Sequence, residues 1–278
     1  MGWLGHLDLT YRRDGGRTVA HDRHDGPMRV LAALYPEGPG ICHHVLVHPP
    51  GGLVGGDELQ LRVRVGPQAH ALLTTPGATR FYRSAGAEAL QDVQATVAAG
   101  GRLEWLPLET IAYSGTRAVN RQRFELEAGA QMMGWDLLAL GLPAAGQGFE
   151  RGSFEQHLEL PGVWLERGLL DAGQPLTQRL LASPLGWDGQ SVLATMWCAS
   201  GTPWSSAERQ ALLDAAREGW PEQAVPRAGA TSPDARVVVV RALADRSEPL
   251  WQALQGVRAR WRRVLWDGAD VAPRVWRT

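Results

Sequence analysis

The fold of this chain is organised around the stretch His48-Pro49-Pro50-Gly51-Gly52-Leu53-Val54-Gly55-Gly56-Asp57. It holds four glycines and two prolines, so it cannot lie within a helix, because glycine admits backbone angles closed to other residues and proline lacks a backbone N–H. An apolar run, Ile41 to Val47, precedes it, and a run of alternating apolar and polar residues, Leu59 to Val65, follows it. Both runs are typical of strands. The stretch is therefore predicted to be a rigid, tightly turned connection between two strands, with the carboxylate of Asp57 at its exit.

A glycine-rich loop also raises the question of phosphate binding. A nucleotide-binding loop of the Walker type requires a Lys-Ser or Lys-Thr pair after its glycines and a helix whose N-terminus faces the phosphates. Here Asp57 and Glu58 follow the glycines, and a strand comes next. Carboxylates repel phosphate, so the stretch is predicted to be a structural turn.

Composition limits the class of protein. The chain has 278 residues, of which 44% are hydrophobic and 21% charged, as is ordinary for a soluble globular protein. A net charge of −1 argues against a general nucleic-acid binder, which carries a basic excess. No apolar stretch is long enough to span a membrane, and no signal peptide is evident at the start. Cys42 and Cys198 are too few for a disulfide framework. We therefore expect a cytoplasmic protein with no membrane partner.

The middle of the sequence repeats a unit of strand, glycine turn and strand about every thirty residues. The units begin near Val63, Ala95 and Phe124. This repetition predicts a mainly β protein, built either from hairpins laid side by side into two stacked sheets or from a solenoid-like coil. Residues 1–200 are predicted to form this β-rich body, and residues 201–278 a small helical subdomain packed on it.

The predicted C-terminal subdomain has the order helix, strand, helix. Its first helix, Ser206 to Glu218, is preceded by a capping box formed by Ser205 and Glu208. Its second helix runs from about Glu248 to Trp266, with Ser247 as the expected cap.

Three blocks of sequence resemble the UreD family of urease accessory proteins, also called UreH. They occur in the family's order and spacing, and weaker similarity extends from about residue 7 to residue 189. The blocks are Pro49–Asp57, Leu73–Ser84 and Leu103–Ile111. The resemblance implies a mostly β body with β-helical character and few helices.

The resemblance also implies a role and partners. A protein of this family would be a non-enzymatic scaffold in a hetero-oligomer, binding apo-urease on one side and UreF on the other, with the GTPase UreG docked through UreF. It would hold no cofactor stably. Nickel would instead pass transiently through an internal tunnel lined by acids, on its way to the urease active site.

Carboxylates suit such a relay, because oxygen ligands hold a divalent ion weakly and exchange it readily. Matching the family motifs residue by residue, the resemblance indicates Asp57, Asp136 and Glu166 as nickel-transit residues. Glu104 and Glu109 are further candidates. The alternative for each of these residues is a carboxylate that caps a turn or pairs with an arginine.

Histidines near the glycine-rich stretch are the other candidate ligands. On a strand, alternation places Cys42, His44 and His48 on one face and His43 on the other. Imidazole and thiolate both suit nickel, so His44 and His48 join the candidate metal residues. The alternative is a buried cysteine with histidines that form hydrogen bonds near the turn.

Two further segments bear on the comparison with the family. The run Arg80–Ser84 combines arginine and tyrosine, which are enriched in protein interfaces, and so indicates a docking surface. The chain departs from the family where Leu142 stands in place of a common Arg and Gln147 in place of a common Glu. Both changes remove a charge.

No catalytic set is evident, and we predict that the protein is not an enzyme. The sequence has no nucleophile elbow, no His-Glu-x-x-His and no paired cysteine motif. One rival hypothesis is a β-rich metal-dependent hydrolase whose site assembles around Asp57, His44 and His48. The other is a protein-interaction module without a metal route.

Overall fold

The computed structural model describes residues 2–221 and 223–277, which are mostly β-strand. The strands are β1 (Leu4–Asp14), β2 (Arg17–Asp25), β3 (Arg29–Val30), β4 (Ile41–Val47), β5 (Glu58–Val65), β6 (His70–Thr74), β7 (Thr79–Phe81), β8 (Ala89–Val97), β9 (Arg102–Leu106), β10 (Thr110–Ala112), β11 (Thr116–Leu126), β12 (Gln131–Leu140), β13 (Gly152–Leu160), β14 (Trp164–Asp171), β15 (Val192–Ser200), β16 (Arg227–Asp234) and β17 (Val237–Ala244). The helices are α1 (Pro175–Ala182), α2 (Ser206–Arg217) and α3 (Ser247–Trp266), with short 3₁₀ turns at Pro143–Ala145 and Arg274–Arg277.

Within the described residues the strands build two facing sheets. A seven-stranded sheet has the order β14-β13-β11-β8-β5-β1-β2. A ten-stranded sheet has the order β16-β17-β15-β12-β9-β6-β4-β3, with β10 attached beside β12 and β7 beside β10. Leu9 and Val63 from one sheet and Leu73 and Trp197 from the other belong to the apolar core between the sheets.

The chain crosses repeatedly from one sheet to the other, so that β4, β6, β9 and β12 lie in the larger sheet and β5, β8, β11 and β13 in the smaller. Neighbouring strands of this middle part are parallel, as in β5–β8 and β4–β6. Parallel neighbours require a crossover connection, and here each crossover includes a strand of the opposite sheet. The β-solenoid prediction is therefore confirmed, and hairpins are found at β1–β2, β13–β14 and β16–β17.

The glycine-rich stretch is the crossover between β4 and β5, which confirms the predicted turn between two strands. Its backbone lies against β7, where the Leu53 N–H donates to the Arg80 carbonyl at 2.7 Å and the Tyr82 N–H donates to the Leu53 carbonyl at 2.8 Å. A Cβ on Gly52 would lie 2.3 Å from the Tyr82 ring. This close approach requires glycine at position 52.

Helices α2 and α3 cover the outer face of the ten-stranded sheet, where Leu212, Leu254 and Trp261 belong to the same apolar cluster as Trp135 and Val238. Strands β12 and β17, which carry Trp135 and Val238, thus bury residues on both faces. No helix within the described ranges is both long and apolar enough to cross a membrane.

The capping box of α2 is confirmed, since the side chains of Ser205 and Glu208 each accept from the other's backbone N–H. The predicted Ser247 cap is wrong, because α3 already begins at Ser247 and its N-cap residue, Arg246, makes no side-chain cap bond. Helix α1 was not predicted. A polar N-cap bond is missing from α1, and a proline in its first turn is the only start signal.

The segment after residue 200 also differs from the predicted helix, strand, helix order. Two strands, β16 and β17, lie between α2 and α3. Strand β17 pairs with β15, so this segment extends the ten-stranded sheet of the body. The division into a body and a subdomain stays a prediction.

Candidate functional site

Asp136 is a buried carboxylate on the interior face of β12, in register with Thr195 of β15. Its Oδ2 accepts hydrogen bonds from Asn120 Nδ2 at 3.1 Å and from Gln122 Nε2 at 2.5 Å. Burial, with the charge of Glu166 as a further cause, raises the pKa of Asp136 to about 6 against the lowering effect of the amide hydrogen bonds. An ionised carboxylate is thus disfavoured here until a cation or donor compensates it.

The amides around Asp136 belong to a longer hydrogen-bonded chain inside the solenoid, which we call the interior polar chain. Gln91 Nε2 donates to Asn120 Oδ1 at 3.1 Å, and Trp105 Nε1 donates to Gln122 Oε1 at 2.9 Å. Asn120 and Gln122 face inward from β11 and are wholly or almost wholly buried. The interior polar chain therefore runs from Gln91 and Trp105 to Asp136 through an otherwise apolar core.

A cavity of about 900 Å³ lies at the Asp136 end of the interior polar chain, and we call it the large cavity. Its lining includes Asp136, Gln156, Glu166 and Arg241. Glu166 faces it from β14, opposite Leu158, and its Oε2 accepts a hydrogen bond from Arg241 Nη2. The structure thus brings two of the predicted transit residues, Asp136 and Glu166, into the walls of one cavity.

A smaller cavity of about 200 Å³, which we call the small cavity, lies at the other end of the interior polar chain. Its lining includes His48, Gly52, Arg80, Gln91 and Trp105. Within the described part of the chain, the buried Nε2 of His48 has no hydrogen-bond partner. Burial lowers the pKa of His48, and the charge of Asp57 opposes this change. The wall of the small cavity therefore contains an imidazole with a buried Nε2 that makes no hydrogen bond to the described residues.

Asp57 is 3% exposed and closes the glycine-rich turn. Its Oδ2 accepts from the Val54 N–H at 2.9 Å, and its Oδ1 accepts from the Trp3 N–H at 3.3 Å. This carboxylate joins the turn to the N-terminal segment. It lies on the His48 side of the molecule and does not join Asp136 and Glu166 in the large cavity lining.

His44 lies apart from both cavity linings, in a hydrogen bond of 2.7 Å between its Nδ1 and the Tyr11 hydroxyl. Burial lowers its pKa to about 4, so the imidazole is neutral at ordinary pH. His43 faces the other side of β4 and bonds Glu37 at 2.8 Å, as alternation predicted. Across residues 2–221 and 223–277, no three His, Cys, Asp or Glu side chains group as metal ligands, so His44, His48 and Asp57 do not form the set that the hydrolase hypothesis requires.

The other candidate carboxylates, Glu104 and Glu109, line neither cavity. Glu104 is on the outer face of β9 and bonds Arg258 of α3. Glu109 is half-buried, and its carbonyl accepts from the Thr79 N–H. Within the expected docking run, Phe81 is wholly buried, so the run is not a continuous surface. Leu142 and Gln147 pair through their backbones at 2.7 and 3.1 Å, in the turn after β12.

Sequence reasoning missed Asn120, Gln122 and Arg241. A signal was present for all three, because Asn120 and Gln122 have the same alternation phase as Ala118 and Phe124. Arg241 likewise shares the inward phase of β17 with Val237 and Val239. Polar residues in the apolar phase of a strand mark the interior site.

Comparison with known proteins identifies the family of this chain. A model of the family described as UreD urease accessory protein matches residues 4–277. A urease accessory protein UreD of Methylibium petroleiphilum is 60% identical over the whole of both chains. Proteins of the same name from Leptothrix cholodnii and Variovorax paradoxus are 57% and 54% identical, again over the whole of both chains. The chain therefore belongs to the UreD family of urease accessory proteins.

Proposed function

We propose that this protein acts in urease maturation as a non-catalytic scaffold in the cytoplasm, and that nickel passes through the interior between its sheets. In this role it binds apo-urease and UreF, and UreG joins the assembly through UreF. Family membership supports the role in maturation. Cys42 and Cys198 are both free and buried, which suits a reducing compartment.

The interior polar chain is the observation that carries the nickel route. A β-solenoid core is ordinarily apolar, and every buried polar group in it must find a hydrogen-bond partner at a cost in desolvation. Here buried amides link the lining of the small cavity to Asp136 in the lining of the large one. Such a line of polar groups supplies oxygen atoms that can replace part of an ion's water shell.

The candidate ligands stand at the two ends of this line. His48 and Asp57 lie at the small cavity end, and Asp136 and Glu166 lie at the large cavity end. Separated oxygen and nitrogen ligands hold a divalent ion weakly, whereas a compact cage would retain it. The arrangement suits transfer of nickel, with His44 in a structural hydrogen bond to one side.

Co-expression tests both parts of the proposal. The urease subunits, UreF and UreG are produced with the tagged chain, the assembly is captured, and the nickel in the captured urease is counted. Asp136→Asn removes the interior charge, and Asp92→Asn is the matched control, since Asp92 is equally buried but pairs with Arg62 on the outer face of the smaller sheet.

We expect capture of the whole assembly with every variant, and nickel loading that falls with Asp136→Asn alone. Full loading with Asp136→Asn would leave a scaffold without this route, as the interaction-module hypothesis holds. Failure to capture urease and UreF with the unaltered chain would contradict the scaffold role itself.

A further inference from the structure

The ion pair between Glu166 and Arg241 spans the two sheets at the large cavity. Glu166 comes from β14 at one edge of the smaller sheet, and Arg241 comes from β17 of the larger sheet, 75 residues away. The Glu166 side chain is 19% exposed and that of Arg241 is 54% exposed. The carboxylate is thus fixed in the wall, while the guanidinium reaches it from the solvent side.

Arg241 also lies on the same face of the larger sheet as Asp136, two strands away. On the interior face of the larger sheet, Asp136 is in register with Thr195, and Thr195 is in register with Arg241. Strands in a sheet are about 4.8 Å apart, so the backbones of Asp136 and Arg241 are about 10 Å apart. The guanidinium that pairs with Glu166 therefore lines the same cavity as Asp136.

We propose that Arg241 is a release gate, which occupies Glu166 in place of the ion and so prevents Glu166 and Asp136 from retaining a divalent cation. This inference rests on the proposed nickel route. An arriving ion displaces the guanidinium from Glu166, and the guanidinium returns as the ion moves on. Displacement is easy because an ion pair with a half-exposed arginine is weak.

The gate makes a counter-intuitive prediction, namely that loss of Arg241 improves metal binding. With Arg241→Gln the large cavity keeps both carboxylates and loses the guanidinium that pairs with Glu166, so a divalent ion is attracted more strongly. Removal of one positive charge at contact distance from Glu166 should tighten Ni²⁺ binding to the purified full chain by about tenfold or more. A change in folding alone would not raise metal affinity.

Titration of the purified full chain with Ni²⁺, followed by calorimetry, tests this. We expect tighter binding for Arg241→Gln, affinity close to that of the unaltered chain for Arg241→Lys, and loss of the gain in the double variant Arg241→Gln with Glu166→Gln. Arg123→Gln is the matched control, because the Arg123 side chain is 40% exposed, pairs with Glu159 and lines neither cavity. Its affinity should not change.

Unchanged Ni²⁺ affinity in Arg241→Gln, or an equal gain in Arg123→Gln, would overturn the gate. That result is distinct from failure of the route, which is measured as nickel loading that does not depend on Asp136. We further expect captured urease to load more slowly with Arg241→Gln at limiting nickel, since the ion is held in the cavity. Loading at the unaltered rate despite tighter binding would also contradict a release role.

Discussion

The guanidinium of Arg258 donates from Nε to Glu104 Oε2 at 2.7 Å, joining residues 154 positions apart in a site that excludes solvent from both side chains. Burial opposes ionisation of Glu104, but the charge of Arg258 and a hydrogen bond from His70 outweigh it and hold the pKa of Glu104 well below its usual range. Arg262 lies 3.7 Å from the same carboxylate. Helix α3 is therefore attached to the larger sheet by buried charge as well as by apolar contacts.

Removing one partner of this pair should destabilise the protein strongly. Glu104→Gln or Arg258→Met removes one charge from a buried cluster that also contains Arg262, and breaking a buried ion pair typically costs about 3–5 kcal/mol in the free energy of unfolding. The double variant Glu104→Gln with Arg258→Met should lose less than the sum of the single losses, because it buries one charge fewer. Urea unfolding followed by tryptophan fluorescence measures all three. Single losses below about 1 kcal/mol would show that α3 does not depend on the pair.

Asp136 should give the protein a pH-dependent stability of the opposite kind. Its folded pKa of about 6 lies above its ordinary value of 3.8, so the folded protein binds this proton more tightly than the unfolded chain. The resulting stabilisation is complete below the ordinary pKa and is lost as pH rises through about 6.

Asp136→Asn should accordingly make the apo protein more stable at pH 8, by up to about 3 kcal/mol, with little difference at pH 3.5. Unfolding curves of both proteins at the two pH values measure this. A variant that is less stable than the unaltered protein at pH 8 would mean that the amide donors hold the ionised carboxylate better than its burial suggests.

The fold could be predicted from sequence where local signals agreed with tertiary structure. Alternation and glycine turns identified the repeating strands, and Ser205 with Glu208 identified the start of α2. Alternation does not show whether a strand pairs with the next strand or with a strand one coil away. The sequence pattern alone therefore could not distinguish stacked hairpins from a solenoid-like coil. Helix α1 has no polar N-cap bond that would mark its start. The sequence of β16 is typical of a turn-rich connection, and the segment forms a strand because it pairs with β17.

The candidate site was less predictable, because it is assembled across sheets. Resemblance indicated Asp136 and Glu166, but only the facing of β12 and β14 brings them to one cavity. Arg241 comes from a third strand whose register places it there. His44 shows the converse limit. Its spacing in the sequence suits a metal ligand, but its Nδ1 is hydrogen-bonded to the hydroxyl of Tyr11, 33 positions away.

The crossover between β4 and β5 should tolerate no side chain at position 52. The Cβ of Gly52→Ala would lie 2.3 Å from the Tyr82 ring and 2.8 Å from the Arg80 carbonyl, so the backbone must move. Overpacking of this kind typically costs about 1–3 kcal/mol. Gly77→Ala is the control, since a Cβ there meets nothing within 4 Å. Thermal unfolding of both variants measures the difference, and equal melting temperatures would contradict the tight crossover.

Asp57 can be tested for a structural and a transit role separately. Asp57→Ala removes the acceptors of the Val54 and Trp3 N–H groups, and leaving these partly buried donors unpaired should cost about 1 kcal/mol. Asp57→Asn keeps one oxygen for these bonds and should lose less stability, while it removes the charge beside His48. If Asp57 takes part in nickel transit, captured urease should contain less nickel with Asp57→Asn, after correction for the amount of folded protein, and we expect this result. Nickel content that follows the amount of folded protein in both variants would limit Asp57 to closing the turn.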